Sequence, residues 1–537
     1  MAQSTSNIYL QPAGRKITAE TNDSLLETLI ANNILLRSDC GGKGVCGKCR
    51  VEVVHESGDI TETEACTLRV TGDMKLRIPE MSLLSSNIIS KPPAALPASF
   101  TSQGKASAVT DLGVAVDLGT TTIALYLCDI GSRKVLYSLA VKNPQALHGD
   151  DVMSRIGWIG QDATRLARLQ QLVVHAIEWG VRELVGHSTA DLDSLRRMVV
   201  VGNPTMIHIL LGADPFPIGF APYQPVFAEA RRTTASSLGF TFAKVTIHTL
   251  EQISGFLGGD ILAATLATTL EKEPEGTLLI DLGTNGELVL KAKDTFFATS
   301  CATGPVFEGA ALSCGLQALP GAIDRVVIHG PDTTPDYRII QKSRGEIKSP
   351  SGICGSGVIS AIASMLRTEV IDKSGLLKSP ADSQTQSSST GKKEYIIVPG
   401  DISATRKSIS ISQKDIRAVQ LGKSALITGI EYLLRAAGLR VPEKILIAGA
   451  FGSNLDRTDL LTLGMVPFVD PSRIEMTGNS AGAGAIMLLC NENYFEQIEN
   501  LVKKISVIEL ATNIDFQQTF VERLSFPELD GHHALCR

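Results

Sequence analysis

Val114-Ala-Val-Asp117-Leu-Gly119-Thr120-Thr121-Thr122 and Leu278-Leu-Ile-Asp281-Leu-Gly283-Thr284-Asn-Gly286 are the two stretches that decide how this chain folds. Each is an apolar run that reaches an aspartate and then turns at glycine, the pattern of a buried strand feeding a tight hairpin. One such turn is commonplace. Two, in matching strand contexts and far apart in the chain, point to duplicated halves rather than to a solenoid.

The turn residues suggest a ligand. Gly119, Thr120 and Thr121 from one half, and Gly283, Thr284 and Gly286 from the other, offer N–H and O–H donors to phosphate. Asp117 and Asp281 are suited to hold Mg²⁺, directly or through water, or to orient an attacking water, because that hard ion prefers oxygen. No Gly-x4-Gly-Lys-Ser/Thr loop is present, which argues against a P-loop ATPase. A third apolar run, Lys444-Ile-Leu-Ile-Ala-Gly449-Ala450-Phe-Gly452, ends on residues too small to block a base or sugar, so Gly449, Ala450 and Gly452 are candidate nucleoside contacts.

Around these motifs, residues 113–491 alternate apolar strands with amphipathic helices, as α/β domains do. Residues 1–80 read as short strands with a helix over Ser24 to Ala31, an alternating strand at Val51 and Val53, and a closing strand from Leu76 to Pro79. Residues 81–112, with Pro92, Pro93 and Pro97, read as a linker. The polar stretch 381–392 reads as an exposed loop, and 492–537 as a C-terminal extension packed on the large domain.

Composition narrows the partners. The 537 residues are 44% apolar and 20% charged with a net charge of −6, and no basic stripe interleaved with aromatics appears, so nucleic acid is not an expected partner. No apolar stretch reaches the length of about 18 residues that a membrane span needs, and no secretory signal is visible; a cytoplasmic protein without a membrane partner is expected. Its ten cysteines are then better read as ligands or thiols than as a disulphide framework.

Four of them form a set. Cys40, Cys46, Cys49 and Cys66 are spaced C-x5-C-x2-C-x16-C. Thiolates suit zinc or iron–sulphur. Gly41, Gly42, Gly44 and Gly47 let a loop wrap a multi-atom cluster and aim N–H groups at its sulphurs, which favours a 2Fe-2S cluster. Zinc and unliganded thiols remain the alternatives, although zinc sites more often use paired Cys-x2-Cys elements.

With these motifs placed, the large domain resembles the acetate/sugar kinase, Hsp70 and actin superfamily. The whole chain resembles the reductive activators of corrinoid-dependent methyltransferase systems. Beyond the cysteine loop, the stretches that carry the resemblance are Asn143-Pro-Gln, Gly149-Asp-Asp-Val-Met-Ser-Arg-Ile, Val201-Gly-Asn-Pro-Thr-Met, Ala221-Pro-Tyr-Gln-Pro-Val-Phe, Cys301-Ala-Thr-Gly-Pro-Val-Phe-Glu-Gly-Ala, Gly352-Ile-Cys-Gly-Ser-Gly, Lys414-Asp-Ile-Arg-Ala-Val-Gln and Ala448-Gly-Ala-Phe-Gly-Ser.

The resemblance implies an α/β chain in which a small α+β ferredoxin-like domain precedes a duplicated two-lobe actin-like ATPase fold. It implies an enzyme that passes one electron from a 2Fe-2S cluster, on Cys40, Cys46, Cys49 and Cys66, to inactive Co(II) cobalamin of a corrinoid protein, restoring Co(I) with the use of ATP and Mg²⁺. A low-potential electron donor is implied as well. Two departures stand out: the sixteen-residue gap before Cys66 is short for the family, and only the linker 81–112 occupies the place of a middle domain carried by longer members. Alternative functions are an ATP-gated electron donor to another metalloenzyme and a nonenzymatic redox-sensing docking protein that binds ATP.

Other residues invite less. Cys301, Cys314 and Cys354 read as packed thiols, and Cys128, Cys490 and Cys536 have no paired motif. Glu308 reads equally as a nucleotide or Mg²⁺ contact and as a helix cap. His148 and His208 read as local hydrogen-bonding residues, His532 and His533 as surface, and Glu62 and Glu64 as a solvated acidic cluster.

Overall fold

In the computed structural model, residues 5–528 are described, except 13, 33, 39–41, 43, 45–46, 80–81, 84–92, 101–110, 189, 243, 310–311, 319, 331–332, 342–348, 379–384, 388–392, 450–454, 511–512 and 514. They fall into two compact units, one within 1–92, 98–255 and 488–491, the other within 93–97, 256–487 and 492–537. This division differs from the boundaries expected at 80, 112 and 491. The N-terminal domain shares a unit, and one apolar core, with the first half of the large domain.

The N-terminal domain is a five-stranded mixed sheet. β1 (Thr5–Gln11) and β2 (Arg15–Glu20) form a hairpin, and α1 (Leu25–Ala31) follows, with Leu25, Leu26, Leu29 and Ile30 buried. β3 (Arg50–Val54), β4 (Ile60–Glu64) and β5 (Met74–Arg77) complete the order β2-β1-β5-β3-β4. The expected helix and strands at Val51 and Leu76 are therefore present.

In the remainder of the first unit, β6 (Leu112–Leu118), β7 (Thr122–Asp129) and β8 (Lys134–Lys142) form a meander. α2 (Val152–Ile159) and the long α3 (Ala163–Gly186) follow, then β9 (Leu195–Gly202), α4 (Pro204–Leu211), β10 (Arg232–Thr234) and β11 (Thr246–Thr249). The sheet order is β10-β11-β9-β6-β7-β8. β6 is buried along nearly its whole length because β7 pairs antiparallel on one side, β9 parallel on the other, and α3 packs on β7.

The second unit repeats this plan. After α5 (Gly259–Ala267) come β12 (Thr277–Leu282), β13 (Gly286–Ala292) and β14 (Thr295–Cys301), again a meander. β15 (Ala322–Val327), β16 (Asp336–Ile339) and β17 (Gly352–Ile353) form a small sheet beneath α6 (Gly355–Arg367). β18 (Thr385–Ser387), β19 (Lys393–Val398) and β20 (Ile409–Ser412) form another. β18 corrects the reading of 381–392 as a loop at 385–387, whose three polar residues pair with β19 as an edge strand, where no apolar alternation is required; 381–384 and 388–392 lie outside the described residues.

α7 (Gln413–Ala437) is opened by a Ser412/Asp415 capping box and closed by left-handed Gly438. β21 (Lys444–Ala448), α8 (Arg457–Leu463), β22 (Ile474–Gly478) and α9 (Ser480–Cys490) follow. Last come α10 (Asn493–Val502), β23 (Ile505–Val507) and α11 (Phe516–Glu522), with α10 on α5 and α11 on α7. The main sheet runs β22-β21-β12-β13-β14-β23. No described helix is long and apolar enough to cross a membrane.

Candidate functional site

In the N-terminal domain, register brings two of the four cysteines together. β3 pairs with β4 so that Arg50 faces Glu64, and the Ala65 N–H donates to the Cys49 carbonyl at 2.8 Å. Cys49 and Cys66 thus sit at the open end of one hairpin, Cys49 buried and Cys66 partly so, and that hairpin fills the sixteen-residue gap between them. Gly42, Gly44 and Gly47 all have φ between 61° and 79°, a conformation that side chains resist, so the loop turns as its glycines allow. A Cβ on Gly42 would lie 3.8 Å from the Cys66 Cβ, so the glycine loop passes directly over that cysteine. This arrangement fits a cluster held within a backbone cradle. Cys40 and Cys46 lie outside the described residues, and among those described no three His, Cys, Asp or Glu side chains form a metal-holding group.

The first phosphate-loop candidate is the β6–β7 turn, closed by the Gly119 N–H donating to the Thr122 carbonyl at 3.1 Å. Its carbonyls are held from behind. Asn143 donates from Nδ2 to the Gly119 carbonyl at 3.0 Å and from its backbone N–H to Thr121 at 2.8 Å, while the Arg155 guanidinium takes the Thr120 carbonyl. Asn203 Nδ2 donates to Thr120 Oγ1 at 2.9 Å. A trans peptide carries its N–H opposite its C=O. The Thr120 and Thr121 N–H groups consequently face away from these donors, as an anion-binding turn requires. Arg155 is fully buried and also donates to the Gly149 carbonyl at 3.0 Å and to Gln145 Oε1 at 3.1 Å.

The second candidate is the β12–β13 turn. The Gly283 N–H donates to the Asn285 carbonyl at 3.0 Å, and Thr303 Oγ1 donates to the Gly283 and Thr284 carbonyls at 3.2 and 3.1 Å. Thr284 Oγ1 donates to Glu308 Oε2 at 2.9 Å, so Glu308 faces the turn, while Ala310 and Ala311, on which the reading as a helix cap depends, lie outside the described residues. Gly286 opens β13 opposite Leu282, and Glu287 stands directly across the ladder from Asp281.

Glu287 and Asp260 carry no signal in the sequence. Burial pushes the Glu287 carboxyl well above the glutamate range, and the charges of Asp260, Asp281 and Glu308 add to the shift. Burial likewise pushes Asp260 up to about 6, although the Ile261 N–H donates to its Oδ1 at 2.9 Å. Carboxyls buried together in this way release their protons at higher pH than exposed ones do.

Gly449 adjoins this turn because β21 runs parallel to β12 with Asp281 level with Ala448. Its φ is 113°, its N–H donates to the Gly478 carbonyl at 3.0 Å, and an added Cβ would lie 2.5 Å from the Leu282 carbonyl oxygen. Only glycine fits there. Ala450 and Gly452 lie outside the described residues.

Other candidates are not part of these loops. His208 is a local hydrogen-bonding residue: Nδ1 is 2.7 Å from the Pro204 carbonyl, the Val226 N–H donates to Nε2 at 3.0 Å, and burial lowers its pKa. Cys314 and Cys354 are thiols whose pKa burial raises, with Sγ against the carbonyls of Ser408 and Ile323. His148 does more than expected: it stacks on Trp158 with ring centroids 3.8 Å apart and lies 3.4 Å from Glu27.

Comparison with known proteins agrees with this layout. A profile described as a 2Fe-2S iron–sulphur cluster binding domain matches residues 8–71, the RACo middle region matches 112–273, and the C-terminal domain of RACo, the ASKHA domain, matches 275–534. The match to the middle region corrects the expectation that such a segment is missing: it begins where the linker ends and spans the first half of the duplicated fold. The chain is 32% identical to the corrinoid activation enzyme RamQ of Eubacterium limosum, over 77% of this chain and 70% of that protein. It is 27% identical to the Co(II) methylated amine-specific corrinoid protein reductase of Methanosarcina barkeri, over 77% of each. A solved reductive activator for corrinoid, iron–sulphur protein superposes with a TM-score of 0.73 at 26% identity, covering 98% of this chain and 99% of that one.

Proposed function

The chain belongs to the family of reductive activators of corrinoid proteins, and from that premise we infer that it carries out the ATP-dependent reductive activation of a corrinoid protein, passing an electron from its iron–sulphur cluster to Co(II) cobalamin to restore Co(I). The observation that carries this reading is the joining, in one chain related to RamQ along most of its length, of an iron–sulphur domain to an ASKHA domain.

The cluster supplies single electrons at low potential. Cys49 and Cys66, with Cys40 and Cys46, would hold it, and the glycines at 42, 44 and 47 would let the loop offer backbone donors to its sulphurs. Asn143, Arg155 and Asn203 fix the first turn so that Thr120 and Thr121 present N–H groups to phosphate. In the second turn Thr303 plays the corresponding part, and Glu308 orients the Thr284 hydroxyl. Asp117 and Asp281, each at the end of its strand, would place Mg²⁺ or water, and Gly449, with Ala450 and Gly452, would leave room for the nucleoside. A low-potential electron donor and a cytoplasmic setting complete the proposal; ten cysteines read as ligands or thiols suit a reducing compartment.

The test is anaerobic mixing of the reduced, cluster-loaded protein with Mg-ATP and a Co(II) corrinoid protein, followed by the Co(I) absorption band. The band is expected to grow with ATP and not without it. A reduced protein that leaves every candidate corrinoid partner as Co(II) in the presence of ATP refutes the assignment.

A further inference from the structure

The cluster-bearing domain lies against the first half of the large domain, on a surface built from the same segment that backs the first phosphate turn. Glu27, on α1, pairs with Arg168 of α3 at 3.4 Å and with His148 at 3.4 Å. Burial works to raise the Glu27 carboxyl, but His148 and Arg168 outweigh it and hold it below the ordinary range. His148 is itself pinned by its stack on Trp158. The Ile30 carbonyl, at the end of α1, is 3.4 Å from His175 Nδ1. Above this pair the cluster loop comes so near that a Cβ on Gly42 would lie 2.4 Å from Leu147 Cδ2.

Leu147 and His148 belong to a 3₁₀ turn, Pro144–His148, whose N-cap is Asn143. Asn143 holds the carbonyls of Gly119 and Thr121. At the far side of the same segment Arg155 joins the Gly149 carbonyl, next to His148, to the Thr120 carbonyl. One stretch, 143–155, thus faces the cluster domain with one part and grips the three phosphate-turn carbonyls with the other.

We infer that Leu147, His148 and Arg168 form a seat for the chain's own cluster domain, and that occupation of the seat and binding of nucleotide phosphate at Gly119–Thr121 favour one another through Asn143 and Arg155. The inference rests on the nucleotide reading given above. Its physical basis is shared ordering: a seated domain holds 143–155, so phosphate meets a turn already fixed, and phosphate in turn steadies the segment on which the domain rests. Coupling of this kind is reciprocal, so loosening the seat weakens nucleotide binding by the factor with which nucleotide tightens the seat. Loss of the phosphate after hydrolysis then lowers the hold on the cluster domain, linking the nucleotide cycle to where the electron carrier sits.

The test uses the full chain with its cluster loaded and measures AMPPNP affinity by calorimetry, alongside hydrogen exchange at 25–31 and 117–122. Glu27→Gln and Arg168→Gln, which remove only partly exposed charges and touch neither turn, are each expected to weaken AMPPNP binding about fivefold or more. In the wild type, nucleotide is expected to slow exchange at both segments; in the variants, at 117–122 alone. Unchanged affinity in both variants, or a wild type in which 117–122 is protected and 25–31 is indifferent, overturns the coupling while leaving the nucleotide site standing. A wild type that binds no nucleotide overturns both.

Discussion

The two halves of the large domain share a backbone plan and differ in what stands behind it. In the order of the chain, the five principal strands are arranged 3-2-1-4-5 in each: β8-β7-β6-β9-β11 in the first and β14-β13-β12-β21-β22 in the second. Each places its Asp-x-Gly-Thr turn between the first two strands. Behind the first turn stand two amides and a buried guanidinium. Around the second lie Asp260, Glu287 and Glu308, with two carboxyls driven toward the protonated state. The two halves therefore share their strands and differ in electrostatics: the first turn is locked by donors, and the second is bordered by buried carboxyls whose protons are held more tightly than usual.

The largest expected effect tests the lock. Arg155→Ala leaves the Thr120 and Gly149 carbonyls without this buried donor, while Gln145 Oε1 still accepts from Asn143 Nδ2, and at about 1–3 kcal/mol for each unsatisfied group the cost is roughly 2 kcal/mol or more. Chemical denaturation of the full chain measures it. A loss below about 1 kcal/mol would show that the first turn is held by its strands alone and that the contrast between halves is superficial.

Next come the aspartates the halves have in common. Asp117→Asn and Asp281→Asn are each expected to slow ATP-dependent Co(I) formation by about 100-fold, a size typical of losing one group that positions charge at a reacting centre. The visible spectrum of the cluster should stay as it is. If only Asp281 matters, the asymmetry reaches the chemistry itself; if both variants keep their activity, the nucleotide site is misplaced.

A smaller effect reads the carboxyls directly. Asp260 titrates near 6 in the folded chain, above the ordinary aspartate value, so its folded form retains a proton that the unfolded form has lost. That contribution is complete below the ordinary aspartate pKa and disappears as pH rises through about 6. Stability measured from pH 4 to 7 should fall less steeply in Asp260→Asn than in the wild type. Equal slopes would remove Asp260 from the responsive set.

The smallest effect separates that set from the rest of the second half. Lys423, which donates to the Ser525 carbonyl at 2.6 Å, is pushed down to about 8 by burial. A lysine so lowered contributes stability above its unfolded pKa that is lost as pH falls through about 8. Lys423→Met, compared by thermal melts at pH 8 and 10, should flatten that rise and leave the acid-side slope untouched.

Much of this was legible in the sequence because it is local. An apolar run, an aspartate and a glycine specify a strand and its turn wherever the chain goes next, so both Asp-x-Gly-Thr turns and the strand before Gly449 were readable, as were the left-handed glycines at 42, 44 and 47. What surrounds the turns was not. Asn143, Arg155 and Asn203 lie in stretches that could be singled out, yet nothing in their spacing says that they grip the carbonyls at 119–121. Glu287 resembles an ordinary strand residue until the β12–β13 register sets it opposite Asp281, and Asp260 arrives from a helix before that hairpin. The seat for the cluster domain is longer-ranged still, since it joins Glu27 to residues on a helix and a turn well over a hundred positions later.

Gly113, at the start of β6, has Leu489 so close that a Cβ there would lie 2.8 Å from its Cδ1, and residues 488–491 belong to the first unit. A ribosome must therefore translate the whole stretch 256–487 before the last piece of the first unit exists. Until then the apolar surface that Leu489 covers at Gly113 stays open on the nascent chain, the kind of transient exposure that invites aggregation and that a fragment ending at 255 would keep.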